Sequence, residues 1–127
     1  MSQHPNPAGW FEIHVADLAR AQAFYETVFR RKLHPMPSAE PGLEMLVFEG
    51  DPQGLGCMGA LVKHPMKSPS TEGVLVYFSC ESCDEVCQRA LAQGGKVYKP
   101  STAIGPNGFI AIIGDSEGNA VGVHAFA

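Results

Sequence analysis

The chain has 127 residues, enough for one domain with its own core, and its composition of 45% apolar and 17% charged residues is typical of a soluble globular protein. Nine basic and thirteen acidic residues give a net charge of −4 without a basic run, so nucleic acid is excluded as an expected partner. No stretch approaches the roughly 18 consecutive apolar residues of a membrane span, and residues 1–9 lack the apolar core of a signal peptide. We therefore expect a cytoplasmic protein that has no membrane partner.

Residues 10–15 alternate with a period of two, which predicts a strand with two different faces. One face is apolar and carries Phe11, Ile13 and Val15. The other face carries Trp10, Glu12 and His14, which are residue types suited to the wall of a pocket.

The rest of the first half reads as one helix followed by three strands. Asp17 is a good N-cap, and apolar residues recur at helical spacing as far as about Phe29. Strands are predicted over 32–35, 43–49 and 56–62. A polar segment with two prolines, 63–73, then has the length of a linker.

The second half repeats the order of the first. A strand over 74–79 precedes a helix that begins at the capping box Ser82-Cys-Asp-Glu85 and stops at Gly94-Gly95. Strands follow over 96–100, 109–113 and 120–126. The chain is thus a single domain, 1–127, with module one at about 9–62, the linker 63–73 and module two at about 74–126.

This pattern predicts an α+β fold. Two tandem βαβββ modules should form a curved mixed sheet around a cleft, with the helices on the outside.

Four cysteines lie at positions 57, 80, 83 and 87, and the middle two form a CxxC. Zinc would need a second ligand pair, which is lacking, and a redox pair would place its first Cys at a helix start. Because Ser82 is the better N-cap, we interpret the cysteines as small apolar side chains. His4, His34 and His64 stand beside prolines and are expected to be solvated.

The order of elements and several local motifs resemble the vicinal oxygen chelate superfamily, which includes glyoxalase I, bleomycin-resistance proteins and extradiol dioxygenases. The resemblance covers residues 10–126. Its carriers are Trp10-Phe-Glu-Ile-His-Val-Ala-Asp-Leu18, Ala21-Gln-Ala-Phe-Tyr25, Leu75-Val-Tyr-Phe78, Ala92-Gln-Gly-Gly-Lys96 and Asp115-Ser-Glu-Gly-Asn119. The glyoxalase-like branch is the most similar.

Enzymes of that superfamily typically hold one divalent metal through His and Glu side chains on the first and last strands of each module. The matching positions here are Trp10, Leu75, Gly122 and the segment 58–60, none of which supplies a carboxylate or an imidazole. The resemblance therefore implies no metal and no other cofactor. The family's glycine after the first helix is replaced by Arg30, and since a left-handed residue is strained for Arg, the helix end is expected to differ.

Strand parity predicts which side chains line the cleft. They share the face of the family's ligand positions, and they are Trp10, Glu12, His14, Leu75, Tyr77, Ser79, Gly122, His124 and Phe126. Glu12 and His124 are the candidate catalytic pair for acid–base chemistry. With His14 they could instead form a displaced metal site, and Glu12 could simply brace the two modules through hydrogen bonds.

Three functions remain open from the sequence. The protein is a lyase or isomerase acting on a small metabolite, a module that sequesters a planar aromatic molecule, or a domain kept for protein association. The first two require a small-molecule ligand. The resemblance also implies a homodimer, and the cleft is formed either within one chain or between two.

Overall fold

The computed structural model describes residues 6–38 and 40–127, so the expectation for His4 lies outside the described residues. Two four-stranded sheets carry one helix each, which confirms the α+β class and the two tandem modules. The sheets are separate, because within the described residues no strand of one pairs with a strand of the other.

Module one contains strand, helix and then three strands. The elements are β1 (Glu12–His14), α1 (Leu18–Phe29), β2 (Leu33–Met36), β3 (Glu44–Phe48) and β4 (Ala60–Lys63). The strand order is β1-β4-β3-β2, in which β1 runs parallel to β4 and the other neighbours are antiparallel.

Module two repeats the arrangement after a loop of residues 64–76. The elements are β5 (Tyr77–Ser79), α2 (Cys83–Ala92), β6 (Lys96–Ala103), β7 (Phe109–Gly114) and β8 (Ala120–Ala125), with a short 3-10 turn at Gly105–Asn107. The strand order is β5-β8-β7-β6, and β5 runs parallel to β8. In each module the first strand therefore lies at the edge of its sheet.

Both helices begin where their caps were predicted. The Asp17 carboxylate accepts a hydrogen bond from the Arg20 amide, and the Ser82 hydroxyl accepts one from the Glu85 amide. The expectation for the end of α1 is wrong, however. Arg30 adopts the left-handed conformation itself, with φ 53° and ψ 45°, and is the one non-glycine residue with positive φ in the described part of the chain.

Three strand boundaries differ from the prediction by three residues or more. The strand predicted from Gly56 begins at Ala60, because Gly56 and Gly59 have positive φ (77° and 73°) and cannot continue an extended ladder. The strand predicted from Val74 begins at Tyr77, which leaves Val74 91% exposed. The strand β6 continues past Pro100 through two register shifts.

One hydrophobic core runs through both modules. The buried faces of the two helices and of both sheets contribute to it, including Ile13, Tyr25, Val86 and Val123. Arg89 of α2 donates a hydrogen bond from Nε to the Val28 carbonyl at the end of α1, 2.8 Å away. Neither helix in the described residues combines the length and the apolar run that crossing a membrane requires.

Candidate functional site

A polar contact joins the two modules near the C-terminal end of β1. The Glu117 carboxylate of module two accepts hydrogen bonds from the amides of Ala16 and Asp17, at 3.0 and 2.9 Å. It also pairs with the Arg20 guanidinium, whose Nε lies 2.6 Å from Oε2. Burial opposes ionisation of this carboxyl, but the hydrogen bonds from Arg20, Asp17, Ser116 and Ala16 outweigh it and lower the pKa of Glu117 to about 2.

Two further residues of the same turn extend this contact. The buried Asp115 carboxylate accepts a 2.7 Å hydrogen bond from the Tyr25 hydroxyl and three more from Glu117 and Asn119. The Asn119 amide donates to the His14 carbonyl at 2.9 Å. We call Asp115, Glu117 and Asn119 the latch, because each bonds a residue of module one.

An aromatic cluster joins the modules at the other end of β1. Phe78 of β5 contacts four rings of module one, with centroid distances between 4.4 and 6.1 Å, namely Phe11, Tyr25, Phe29 and Phe48. The Phe11 ring lies directly on Gly59, where a Cβ would collide with it. A glycine at position 59 therefore creates the space in which Phe11 packs.

The aromatic cluster borders a cavity of about 520 Å³. Phe11, Phe29, Phe48 and Phe78 form its apolar floor, and the glycine-rich loop 50–58 and residues 76–79 form its sides. We call it the aromatic cavity. Its volume and its mainly apolar lining fall in the range of small-molecule sites.

Five polar side chains also line the aromatic cavity. They are Arg31, Glu49, Asp51, Tyr77 and Ser79. Leu55 lines it as well, and its side chain is fully exposed. A second cavity of about 360 Å³ shares Phe29, Arg31 and Ser79 with the first. We call it the arginine cavity, because Arg30 and Arg89 line it in addition to Arg31.

The sequence-predicted cleft residues of module one stay together on β1. The Trp10 indole donates a 3.3 Å hydrogen bond to the Glu12 carboxylate. His14 is half-buried, and its ring meets the His64 ring edge-on at 6.2 Å. Burial and Lys67 lower the pKa of His14, Glu12 opposes them, and His64 adds a further decrease.

The predicted cleft residues of module two form a second group. Tyr77 packs on Gly122, its partner across the β5–β8 pair, and Ser79 stands opposite His124. Nε2 of His124 donates to the Asn107 carbonyl at 2.6 Å, and its ring meets Phe126 edge-on. Leu75 is half-buried in the loop before β5.

No hydrogen bond joins the two groups within residues 6–38 and 40–127. The hydrogen bonds of Glu12 and His124 go to Trp10 and Asn107, so no direct bond joins the two candidate catalytic side chains. In the described residues the latch makes hydrogen bonds between the modules, and the hydrogen bond of Glu12 stays within module one. Of the nine predicted residues, Tyr77 and Ser79 line the aromatic cavity.

Comparison with known proteins identifies others that have the same architecture. Residues 9–40 match a family model described as bleomycin resistance protein-like N-terminal. The chain is also similar to a glyoxylase/bleomycin resistance protein/dioxygenase domain from Frankia sp. EAN1pec, with a TM-score of 0.70 and 17% identity over 99% of this chain and 100% of that one. The fold is that of the vicinal oxygen chelate superfamily. The resemblance seen in the sequence is thereby confirmed.

Two other solved structures share this fold. TnmS3, an antibiotic binding protein from Streptomyces sp. CB03234, has a TM-score of 0.66 and 23% identity over 99% of this chain and 100% of that one. Glyoxalase I from Zea mays has a TM-score of 0.68 and 17% identity over 98% of this chain, which spans 48% of that enzyme. Curated proteins gave no match.

The superfamily's metal does not fit the residues found here. Trp10 offers only an N–H donor, and it is engaged with Glu12. At Gly122 a Cβ would lie 2.5 Å from the Tyr77 ring, so no ligating side chain can stand there unless Tyr77 moves. Glu12, His14 and His124 do not form a metal-binding group, and no cluster of three His, Cys, Asp or Glu side chains able to hold a metal occurs in the described residues.

The structure also shows the environments of the cysteines and of His34. The Sγ atoms of Cys80 and Cys83 lie 3.9 Å apart, and burial raises the pKa of Cys80 to about 12. Cys83 and Cys87 are buried, as expected for small apolar side chains. His34 lies in β2, where Nε2 is 3.0 Å from Glu49, so it is not simply solvated.

Sequence reasoning missed two components of the site. The latch residues entered only as part of a motif of the resemblance, although two acidic residues and one amide were visible there. The arginines at positions 30 and 31 were also missed. Arg30 stands where the family has glycine, and we interpreted that replacement only as a problem for the helix end.

Proposed function

We propose that the protein binds a planar aromatic small molecule in the aromatic cavity and holds it without transforming it. The observation that carries this proposal is the cavity itself, whose floor is formed by four phenylalanines from two modules. Planar ligands stack on such rings and gain affinity from burial of apolar area. Tyr77 and Ser79 line the wall, and their hydroxyl groups are the candidates to orient the ligand.

The antibiotic-binding TnmS3, which has the same fold over its whole length, supports a binding role. The latch supports it too, because it keeps the two modules in place through bonds that do not involve the cavity wall. A ligand can therefore enter without breaking the contact that the latch makes between the modules.

Val76→Trp tests the proposal by filling the aromatic cavity. We expect the affinity for N-phenylnaphthylamine, a neutral aromatic probe whose fluorescence rises in apolar sites, to fall by about tenfold or more, because the indole occupies the ligand's space. Val74→Trp is the matched control, since Val74 lies two residues earlier and is exposed outside the cavity. Equal affinity in both variants and the wild type would contradict the proposal.

A lyase or isomerase activity is the second candidate. His124 favours it, because the hydrogen bond that Nε2 donates to Asn107 makes Nδ1 the acceptor nitrogen of the neutral imidazole. Glu12 would be its partner on the other side of a bound substrate. Trp10 and His14 share the strand face of Glu12, and Phe126 shares that of His124. A rate of substrate turnover that Glu12→Gln and His124→Gln leave unchanged would refute this role.

We also propose a cytoplasmic homodimer that uses no metal or other cofactor. The four free thiols support the reducing location. The exposed side chains of Phe126, Tyr77 and Phe109 support a second copy as partner. Sedimentation at the mass of one chain would overturn the homodimer. Secretion of the protein would overturn the cytoplasmic location, and one bound equivalent of a divalent metal would overturn the proposal that no metal is used.

A further inference from the structure

We propose that the ligand carries an anionic group, which Arg31 binds at the junction of the aromatic cavity and the arginine cavity. This inference rests on the proposed function, because it assigns the chemical class of the molecule that the aromatic cavity takes. The ligand class is a planar aromatic acid, with a carboxylate, sulfonate or phosphate as the charged group.

The shape of the junction supports a molecule that extends from one cavity into the other. Phe29, Arg31 and Ser79 belong to the walls of both cavities. An aromatic group stacked beside Phe29 can therefore direct a substituent past the Ser79 hydroxyl to the Arg31 guanidinium. A guanidinium binds oxyanions through paired, charge-assisted hydrogen bonds.

The charges at the junction favour an anion. Within the described residues, ion pairs are formed by Arg20 with Glu117 and by His34 with Glu49, and no carboxylate pairs with Arg30, Arg31 or Arg89. Three arginines thus line one cavity, and none of them forms a salt bridge in the described residues. Arg30 holds its place in a strained left-handed conformation that glycine would adopt at lower cost.

Four carboxylates lie in the two cavities and define where the anion cannot sit. Glu49 is held by His34, and Asp51 accepts a hydrogen bond from the Gln53 amide, both on the aromatic side. Glu81 and Glu85 lie at the start of α2, on the arginine side. The shared wall contains a guanidinium and a hydroxyl but no carboxylate, so the junction is the favourable position.

The test uses two probes that differ in a single group. Anilinonaphthalene sulfonate is N-phenylnaphthylamine with one added sulfonate. We expect wild-type protein to bind the sulfonate about tenfold more tightly than the neutral probe at low salt, because a charge-assisted bond adds to the same stacking. Arg31→Gln should remove this difference by weakening binding of the sulfonate more than binding of the neutral probe.

Lys32→Gln is the matched control, since it removes one neighbouring positive charge that lines neither cavity. Near-UV circular dichroism confirms that each variant is folded. Equal affinity of the wild type for both probes overturns the inference while leaving the proposed function intact. A loss of affinity for the sulfonate in Lys32→Gln as large as that in Arg31→Gln also overturns the inference, because the effect would then come from general surface charge. Failure of the neutral probe to bind refutes the proposed function instead.

Discussion

The latch and the aromatic cluster both join the two modules, but they differ in what they leave open. At the latch, Asp115 alone accepts four hydrogen bonds, and no buried side-chain nitrogen or oxygen in the described residues lacks a partner. At the aromatic cluster, ring contacts leave a cavity of about 520 Å³ beside them. Tyr25 belongs to both, since its ring stacks on Phe29 and its hydroxyl bonds Asp115.

This difference indicates a division of labour between the two ends of β1. Directional bonds between charged and polar groups fix the position of the modules at one end. Non-directional contacts between rings tolerate an inserted molecule at the other end, because a planar ligand can replace ring–ring contacts with ligand–ring contacts. Mutations in the latch should therefore change stability and leave ligand binding intact.

The largest effect is expected from Asp115→Ala. The substitution leaves the buried Tyr25 hydroxyl and the Asn119 amide without their acceptor, so the free energy of unfolding should fall by about 3 kcal/mol or more. Urea denaturation measures the loss. Tyr25→Phe, which removes one of the four bonds, should cost about 1 kcal/mol and leave the affinity for N-phenylnaphthylamine unchanged. A latch variant that stays folded but no longer binds N-phenylnaphthylamine would contradict the separate roles of the two ends of β1.

Glu117→Gln should have a smaller and pH-dependent effect. The amide cannot pair with Arg20 as a carboxylate does, and we expect a loss of about 2 kcal/mol near neutral pH. Because the pKa of Glu117 is lowered from 4.5 to about 2, its stabilising contribution is fully present above pH 4.5 and is lost as the pH falls to about 2. The urea midpoints of wild type and variant should thus converge as the pH falls through this interval. A constant difference down to pH 2 would show that ionisation is irrelevant.

The smallest effect is expected from Arg30→Gly at the edge of the arginine cavity. Relief of the left-handed strain should raise the free energy of unfolding by about 0.5–1 kcal/mol, partly offset by the greater freedom of glycine in the unfolded chain. Arg31→Gly, at a residue with negative φ, should not stabilise. If Arg30→Gly is destabilising, the Arg30 side chain contributes to the fold as well as to the cavity.

The sequence predicted the local structure well, because the relevant interactions span only a few residues. Asp17 and Ser82 bond amides three residues ahead, and the alternating strands and the repeat of elements are visible without knowledge of the tertiary structure. The latch was not predictable in this way. Glu117 bonds residues about one hundred positions earlier in the chain, and nothing in the turn Asp115–Asn119 indicates which partners it meets.

The site was predicted only in part, for a related reason. Strand parity gives the face on which a side chain lies, and it correctly groups Tyr77 with Gly122 and Ser79 with His124. Parity does not reveal that β5 is an edge strand whose free side borders a cavity. It also cannot show that Gly56 and Gly59 turn an expected strand into the loop that forms the cavity wall.

The most direct test of the central claim is the change in backbone amide chemical shifts when N-phenylnaphthylamine is added to ¹⁵N-labelled protein. We predict the largest shifts at Phe11, Leu55, Tyr77 and Phe78, around the aromatic cavity. The amides of Ala16 and Asp17, which donate to Glu117 of the latch, should be unchanged. Shifts centred on Glu12, His14 and His124, with the cavity residues unaffected, would contradict the account and return the ligand to the cleft predicted from strand parity.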